Sequence, residues 1–220
     1  MSYVYMKSLE HKAEKYDKGI KLLTLGKLIK VEQYLVENYL LKNDIILDIG
    51  MGTGTLAILA AKKGAKVIGI DNSKKMLEVA SKKISDEGLN QEIEIMHKSV
   101  IEMDDTFNTK SFDKIVAILL FSELYEKEQE FCLKQINRIL KDNGEFFLID
   151  EVKPKRLWKK VIYFMIRVPL ALITFLRTQL TTSALVNFEK KLAQNGFSIV
   201  EEKLYLLDTL KLMRLKKEIY

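Results

Sequence analysis

The apolar positions of this chain change their period several times, and each change marks an element. From Thr24 to Leu41 they fall at Leu25, Leu28, Ile29, Val31, Leu35, Val36 and Tyr39, close to the spacing of a helix with one buried face. Asp44–Ile49 is instead a short apolar run, D-I-I-L-D-I, the pattern of a strand covered on both faces, and it stops at the glycines Gly50, Gly52 and Gly54. The pattern then predicts a helix over Thr55–Lys63 with Gly64 in the C-cap role, a strand over Lys66–Ile70, and a helix over Ser73–Ser85 capped by Ser73 or Asn72. Further strands are expected over Glu92–Met96, Asp113–Leu119 and Glu145–Asp150, with a helix over Lys127–Lys141 that closes at Asn143-Gly144. Such alternation is the signature of a parallel sheet with helices on both faces, an α/β fold.

Downstream the pattern alters. Lys153–Arg177 is basic and aromatic, and within it Val161–Leu176 is the most apolar stretch of the chain. That stretch is short for a membrane span and carries Arg167 and Pro169 at its centre. Lys153, Lys155, Arg156, Lys159 and Lys160 precede it and Arg177 follows. Three roles stay open: a cap over an active site, an interfacial helix touching lipid, or a surface between subunits. Its place after the fifth strand, above the carboxyl ends of the sheet, favours the cap. A helix over Ser183–Gln194, a break at Gly196 and strands over Phe197–Tyr205 and Thr209–Leu215 complete the chain. The short connection at Leu207-Asp208 predicts a hairpin that adds an antiparallel edge.

Composition narrows the setting. The 220 residues, without a Pro/Gly/Ser-rich linker, fit a single domain over 1–220. A formal net charge of +6 suits an anionic ligand, nucleic acid or an acidic membrane surface, and suits plain solubility equally well. Cys132 is the single cysteine, and its spacing to Ile136, Ile139 and Leu140 places it on an apolar helix face as a core thiol. One thiol and no secretory pattern in Met1–Lys15 point to a reducing, cytoplasmic setting. The two histidines, His11 and His97, are too isolated for a metal site.

The chemistry concentrates at Asp48-Ile49-Gly50-Met51-Gly52-Thr53-Gly54-Thr55, set between a predicted strand and a predicted helix, where a glycine turn lets backbone approach a ligand. A dinucleotide-binding turn reads G-x-G-x-x-G, whereas here the glycines fall as G-x-G-x-G, and no lysine follows as in a phosphate-binding loop. Asp71 stands at the end of the second strand, where a carboxylate can accept both hydroxyls of an adenosine ribose.

With Phe112-Asp113 and Arg138-Ile139-Leu140-Lys141-Asp142-Asn143-Gly144, these residues give the chain, from Tyr16 to Leu215, a pattern that resembles the class I S-adenosylmethionine-dependent methyltransferases, in particular the ubiquinone and menaquinone methyltransferase branch. The resemblance implies a Rossmann-like, seven-stranded, mostly parallel sheet with an antiparallel C-terminal hairpin, an N-terminal helical lid over 1–41 and a cap insertion over 153–180. It implies S-adenosylmethionine as cofactor, with Asp48, Gly50, Met51, Gly52 and Gly54 around its methionine portion and Asp71 on its ribose. Asn72, Met76, Ser99, Val100 and Leu119 complete that set, Met76 near the adenine and Ser99 and Val100 at its edge. Met51 departs from the small residue usual at its position, and Ser99 from a frequent acidic one. The runs Tyr16-Asp17-Lys18-Gly19-Ile20, Phe121-Ser122-Glu123-Leu124, Asp150-Glu151-Val152-Lys153-Pro154 and Arg167-Val168-Pro169-Leu170, with Thr178-Gln179, resemble the corrinoid-protein-associated subgroup.

Methyl transfer needs the acceptor atom in line with the methyl group in a dry site, and positioning supplies much of the acceleration. Leu119-Leu120-Phe121-Ser122 stands where nucleic-acid amino methyltransferases carry an Asn/Asp-Pro-Pro-Tyr run, which disfavours a DNA or RNA base. The expected acceptor is a hydrophobic small molecule, a prenylated or macrocyclic compound, or a protein side chain. The alternative is a non-catalytic partner of a corrinoid protein that binds the cofactor only. Should the acceptor have to lose a proton, the candidate bases are His11 and Tyr16 in the lid, Glu123 after the fourth strand and Glu151 after the fifth.

Overall fold

The computed structural model describes residues 13–178 and 184–218. One mixed sheet of seven strands organises them: β1 Ile45–Ile49, β2 Lys66–Asp71, β3 Ile93–His97, β4 Phe112–Ile118, β5 Leu140–Glu151, β6 Phe197–Tyr205 and β7 Leu210–Lys217, in the order β3-β2-β1-β4-β5-β7-β6. The first five strands are mutually parallel, and β7 runs antiparallel to both β5 and β6. The chain reverses between β1 and β4, so the carboxyl ends of β1, β2 and β4 open a crevice there.

Side chains alternate across the sheet. On β5, Phe147 joins the layer beneath helices α2 (Lys27–Tyr39), α3 (Thr55–Lys62) and α4 (Lys74–Asp86). Its neighbour Phe146 joins the layer beneath α5 (Met103–Thr106), α6 (Glu126–Ile139) and α8 (Phe188–Gln194). Cys132 sits in this second layer, fully buried, and burial pushes its thiol far up, so it is a core side chain. Ahead of α2 lies α1 (Ala13–Leu23), separated from it by a tight turn in which the Thr24 hydroxyl donates to Ile20 O at 2.8 Å. The long periodic segment read from Thr24 onward therefore begins at Lys27 as a helix of its own.

Two expected helix boundaries move. The helix read to Lys141 ends at Ile139, and Asn143-Gly144 lies inside the twelve-residue β5. Gly144 answers a packing need there: a Cβ on it would stand 2.6 Å from Leu140 Cδ1 and 3.0 Å from Asp113 O, beside a register shift between Phe112 and Lys114. The helix read from Ser183 starts at Phe188, after a parallel bridge between Leu185 and Val152; Ser183 itself lies outside the described residues. Helix α7 (Leu157–Thr178) runs through Pro169, whose missing N–H forgoes one helical hydrogen bond. The hairpin forms as expected, with Leu206, Leu207 and Asp208 all at positive φ, but β6 is the edge, because β7 inserts between it and β5.

Candidate functional site

The turn after β1 is shaped by backbone. Gly50 and Gly52 adopt φ of 70° and 53°, a region that side-chain-bearing residues rarely enter. The amides of Gly50 and Met51 both donate to Ile70 O, at 2.8 and 3.0 Å, which holds the turn against the end of β2. The Asp71 carboxylate ties the same turn to the start of α4, accepting from Gly52 N through Oδ2 and from Ser73 N through Oδ1, each at 2.8 Å. The unusual Met51 has its own accommodation: it is buried over Gly69, where an added Cβ would lie 2.1 Å from the Met51 sulfur.

Two cavities open at this turn, of 320 and 340 Å³, and both are lined by Tyr16, Gly50, Gly52, Ile118 and Leu119. The first gathers Asp71, Asn72, Ser99 and Val100 from the ends of β2 and β3 and Met76 from the first turn of α4, with Glu123 beyond β4. His97 holds this rim through a 3.1 Å hydrogen bond between its Nε2 and Asn72 O. The second cavity is walled by Asp48, Met51, Thr53, Leu56, Leu28, Ile20 and Glu32. Leu119, at the junction, holds φ of 55° while its amide donates to Ile149 O at 2.7 Å. Gly54 lines neither cavity and serves as the left-handed N-cap of α3.

Acidity is concentrated in the second cavity. Asp48 is buried, and desolvation, then the Asp71 charge, pushes its carboxyl up to about 7. Its Oδ2 has no hydrogen-bond partner among the described residues. Glu32 was absent from the sequence-based candidates. Burial, then the charges of Asp48 and Asp17, raises it to about 8, with Lys83 acting the other way. Its signal was available: Glu32 lies four residues after Leu28 and four before Val36, a carboxylate inside an apolar stripe. Asp17 and Lys83 form a clasp over the glycine turn. Lys83 Nζ donates to Asp17 Oδ2 at 2.8 Å and to Thr55 Oγ1 at 3.1 Å, and the Thr53 hydroxyl donates to Asp17 Oδ1 at 2.5 Å.

Of the candidate bases, Tyr16 and Glu123 meet on one cavity and Glu151 stands apart from it. Tyr16 lines both cavities and Glu123 the first, whereas His11 lies outside the described residues. Glu151 lines neither cavity; it is fully buried behind β5, where Oε1 accepts from Tyr163 Oη at 2.9 Å and from Arg167 at 2.5 Å. These contacts attach α7 to the sheet, and Lys159 adds an ion pair to Asp208 at 2.6 Å. Among the described residues, none of α7 lines either cavity. Among the described residues no group of three His, Cys, Asp or Glu side chains could hold a metal.

Comparison with known proteins follows this geometry. A methyltransferase-domain family model matches residues 46–144, which cover the glycine turn, Asp71 and Glu123, and a DNA methylase family model matches residues 8–82. The chain is 30% identical to the demethylmenaquinone methyltransferase of Lactobacillus johnsonii over 64% of its length, and spans 58% of that relative. It is 29% identical to the demethylmenaquinone methyltransferase of Thermotoga maritima, over 74% of this chain and 69% of that protein. In fold it is similar to a SAM-dependent methyltransferase from Aquifex aeolicus, with a TM-score of 0.69 and 20% identity, over 94% of this chain and 97% of the other. The strand order, the crevice at the glycine turn and these matches agree: the chain has the fold of S-adenosylmethionine-dependent methyltransferases and carries a methyltransferase-domain match over residues 46–144.

Proposed function

We propose that this chain catalyses methyl transfer from S-adenosylmethionine to a hydrophobic small-molecule or lipid acceptor. The observation that carries the reading is the pair of contiguous cavities meeting at Gly50–Gly52 under Tyr16. The residues present fit the cofactor: the Asp71 carboxylate lines the first cavity at the end of β2, and Asp48, on the wall of the second, has a buried oxygen without a partner among the described residues. In this reading Asp71 takes the ribose hydroxyls, Met76, Ser99 and Val100 border the adenine with Asn72, and Asp48, Met51 and the glycine turn receive the methionine portion. Leu119 and Tyr16, on both linings, stand at the reacting centre between them. The bound cofactor supplies an electrophilic methyl group; the chain's residues orient it, exclude water and position the acceptor. Glu123, on the lining of the first cavity, is the group placed to take a proton where the acceptor must lose one, and Tyr16 the group placed to screen the centre from water.

The relatives named for demethylmenaquinone methylation suggest a prenylated quinol as the first acceptor to try. Helix α7 supports an apolar acceptor drawn from a bilayer. It exposes Trp158, Val161, Phe164, Met165, Val168 and Leu172, beside the exposed cations Lys155, Arg156 and Lys160. No helix among the described residues is long and apolar enough to cross a membrane, so contact would be interfacial. The single buried thiol fits a cytoplasmic setting. The test is formation of S-adenosylhomocysteine with a short-chain demethylmenaquinol, with and without anionic vesicles. Acceptor-dependent turnover that rises with vesicles is expected; cofactor binding without turnover on quinol or lipid acceptors would favour a non-catalytic role such as partner of a corrinoid protein.

A further inference from the structure

We propose that Glu32 is a second acidic residue of the cofactor seat, standing with Asp48 on the wall of the second cavity to bind the α-ammonium group of S-adenosylmethionine. The inference rests on the cofactor reading above and adds to it a residue from a different element. Glu32 belongs to α2 and lies on the face that buries Leu28, Val31, Leu35 and Val36. A carboxylate placed in such a stripe is costly unless something answers its charge.

The protein answers only part of it. Five titratable groups share the cavity of Glu32: Asp48 from β1, Tyr16 and Asp17 from α1, Lys83 from α4, and the exposed Lys21 at the rim. Lys83 is committed to Asp17 and to the hydroxyls of Thr53 and Thr55. Asp48 has a buried oxygen with no partner among the described residues. Of the three carboxylates on this cavity, Asp17 is thus clasped by Lys83, while Glu32 and Asp48 are the two buried ones, and the other lysine, Lys21, is exposed at the rim. An ammonium group offers three N–H donors to such acceptors, whereas the sulfonium of the same cofactor offers none, so hydrogen-bonding chemistry selects the amino-acid end.

A consequence distinguishes this arrangement from two independent acids. Without ligand the pair retains a proton to higher pH than ordinary carboxyls, as their raised values of about 7 and about 8 require. A cation between them favours full ionisation, so binding releases that proton near neutrality. Cofactor affinity therefore rises with pH across this range.

The experiment is titration calorimetry with S-adenosylhomocysteine and with 5′-methylthioadenosine, which shares the adenosine thioether but lacks the amino-acid group. Glu32→Gln is expected to weaken S-adenosylhomocysteine about ten-fold or more, the worth of one charge-assisted hydrogen bond. The same variant should bind 5′-methylthioadenosine as wild type does. Equal affinity for S-adenosylhomocysteine in variant and wild type, or equal losses for both ligands, would overturn the role of Glu32. Should the variant fail to fold, wild type alone decides: binding heats in two buffers of different ionisation enthalpy must show proton release at about pH 7, and no exchange refutes the shared proton. If wild type binds neither ligand, the cofactor reading itself fails, an outcome distinct from the failure of Glu32.

Discussion

Two pairs of buried carboxylates lie at the carboxyl end of this sheet, and they are treated differently. Asp150 and Glu151 end β5. Asp150 accepts from Ser122 N at 3.1 Å and from Glu151 N at 2.7 Å, and Glu151 gathers Tyr163 and Arg167 on one oxygen. Glu151 Oε2 has no partner among the described residues, yet its sister oxygen takes two donors and neither cavity opens on it. Glu32 and Asp48 lie by β1, face a 340 Å³ cavity, and share it with Lys83, already engaged by Asp17, and with Lys21 at the exposed rim. Burial, joined by the charge of a neighbouring carboxylate, raises acids in both places: Asp150, like Asp48, is pushed up to about 7. What separates structure from function is whether the protein supplies the donors.

The largest effect expected from this contrast is at Arg167. Removing one partner of a buried ion pair costs about 3–5 kcal/mol, because the other charge stays behind. Arg167→Ala should lower unfolding stability in urea by about that amount, while S-adenosylhomocysteine affinity of the folded fraction stays unchanged. A large loss of affinity at unchanged stability would place the β5 pair in the site and dissolve the contrast.

A smaller effect belongs to the packing under the glycine turn. Gly69→Ala inserts a methyl group where the Met51 sulfur lies 2.1 Å away, so Met51 must move. Overpacking of this kind costs about 1–3 kcal/mol. Because Met51 lines the second cavity, cofactor affinity should fall with stability, and Met51→Ala in the same chain should recover part of both. No recovery in the double variant would mean that Met51 is not the obstacle.

The smallest effect is the pH dependence of stability. Glu32 has its carboxyl raised to about 8 in the folded chain, so it contributes stability below the ordinary carboxylate range and loses it as pH rises through that value. Glu32→Gln escapes the loss. Melting temperatures at about pH 5 and pH 9 should shift in the variant's favour at the higher pH, by an amount on the order of 1–2 kcal/mol once relaxation around the charge is allowed for. A pH-independent difference would place Glu32 in water rather than in the fold.

Much of this was legible in the sequence, and the exceptions have physical causes. The glycine turn, Asp71 and the strands around them obey local rules: apolar runs for strands buried on both faces, glycines at positive φ, Ser73 as a cap accepting from Met76 N. Gly144 misled because a glycine after a helical pattern reads as a C-cap, whereas here it relieves a contact with Leu140 that only strand pairing creates. Glu151 was expected among the bases because its position along the chain puts it above the sheet; that its side chain is held by Tyr163 and Arg167 depends on how α7 packs. Glu32 escaped notice for the converse reason. A glutamate on a helix usually faces water; its place in the apolar stripe marks this one as buried, but that it shares a cavity with Asp48 depends on how α2 packs against β1.

The central claim, that the crevice at β1 and β2 is a seat for S-adenosylmethionine chemistry rather than for a dinucleotide, is tested most directly by calorimetry with S-adenosylhomocysteine and NAD on wild type and Asp71→Ala. The account predicts binding of S-adenosylhomocysteine and none of NAD. It also predicts a loss of about 100-fold or more in the variant, from two hydrogen bonds to a charged acceptor worth roughly 1.5–3 kcal/mol each. Because Asp71 also accepts from Gly52 and Ser73, the titration is run where melting shows the variant folded. NAD binding as tightly as S-adenosylhomocysteine, or a folded Asp71→Ala with wild-type affinity, would contradict the account.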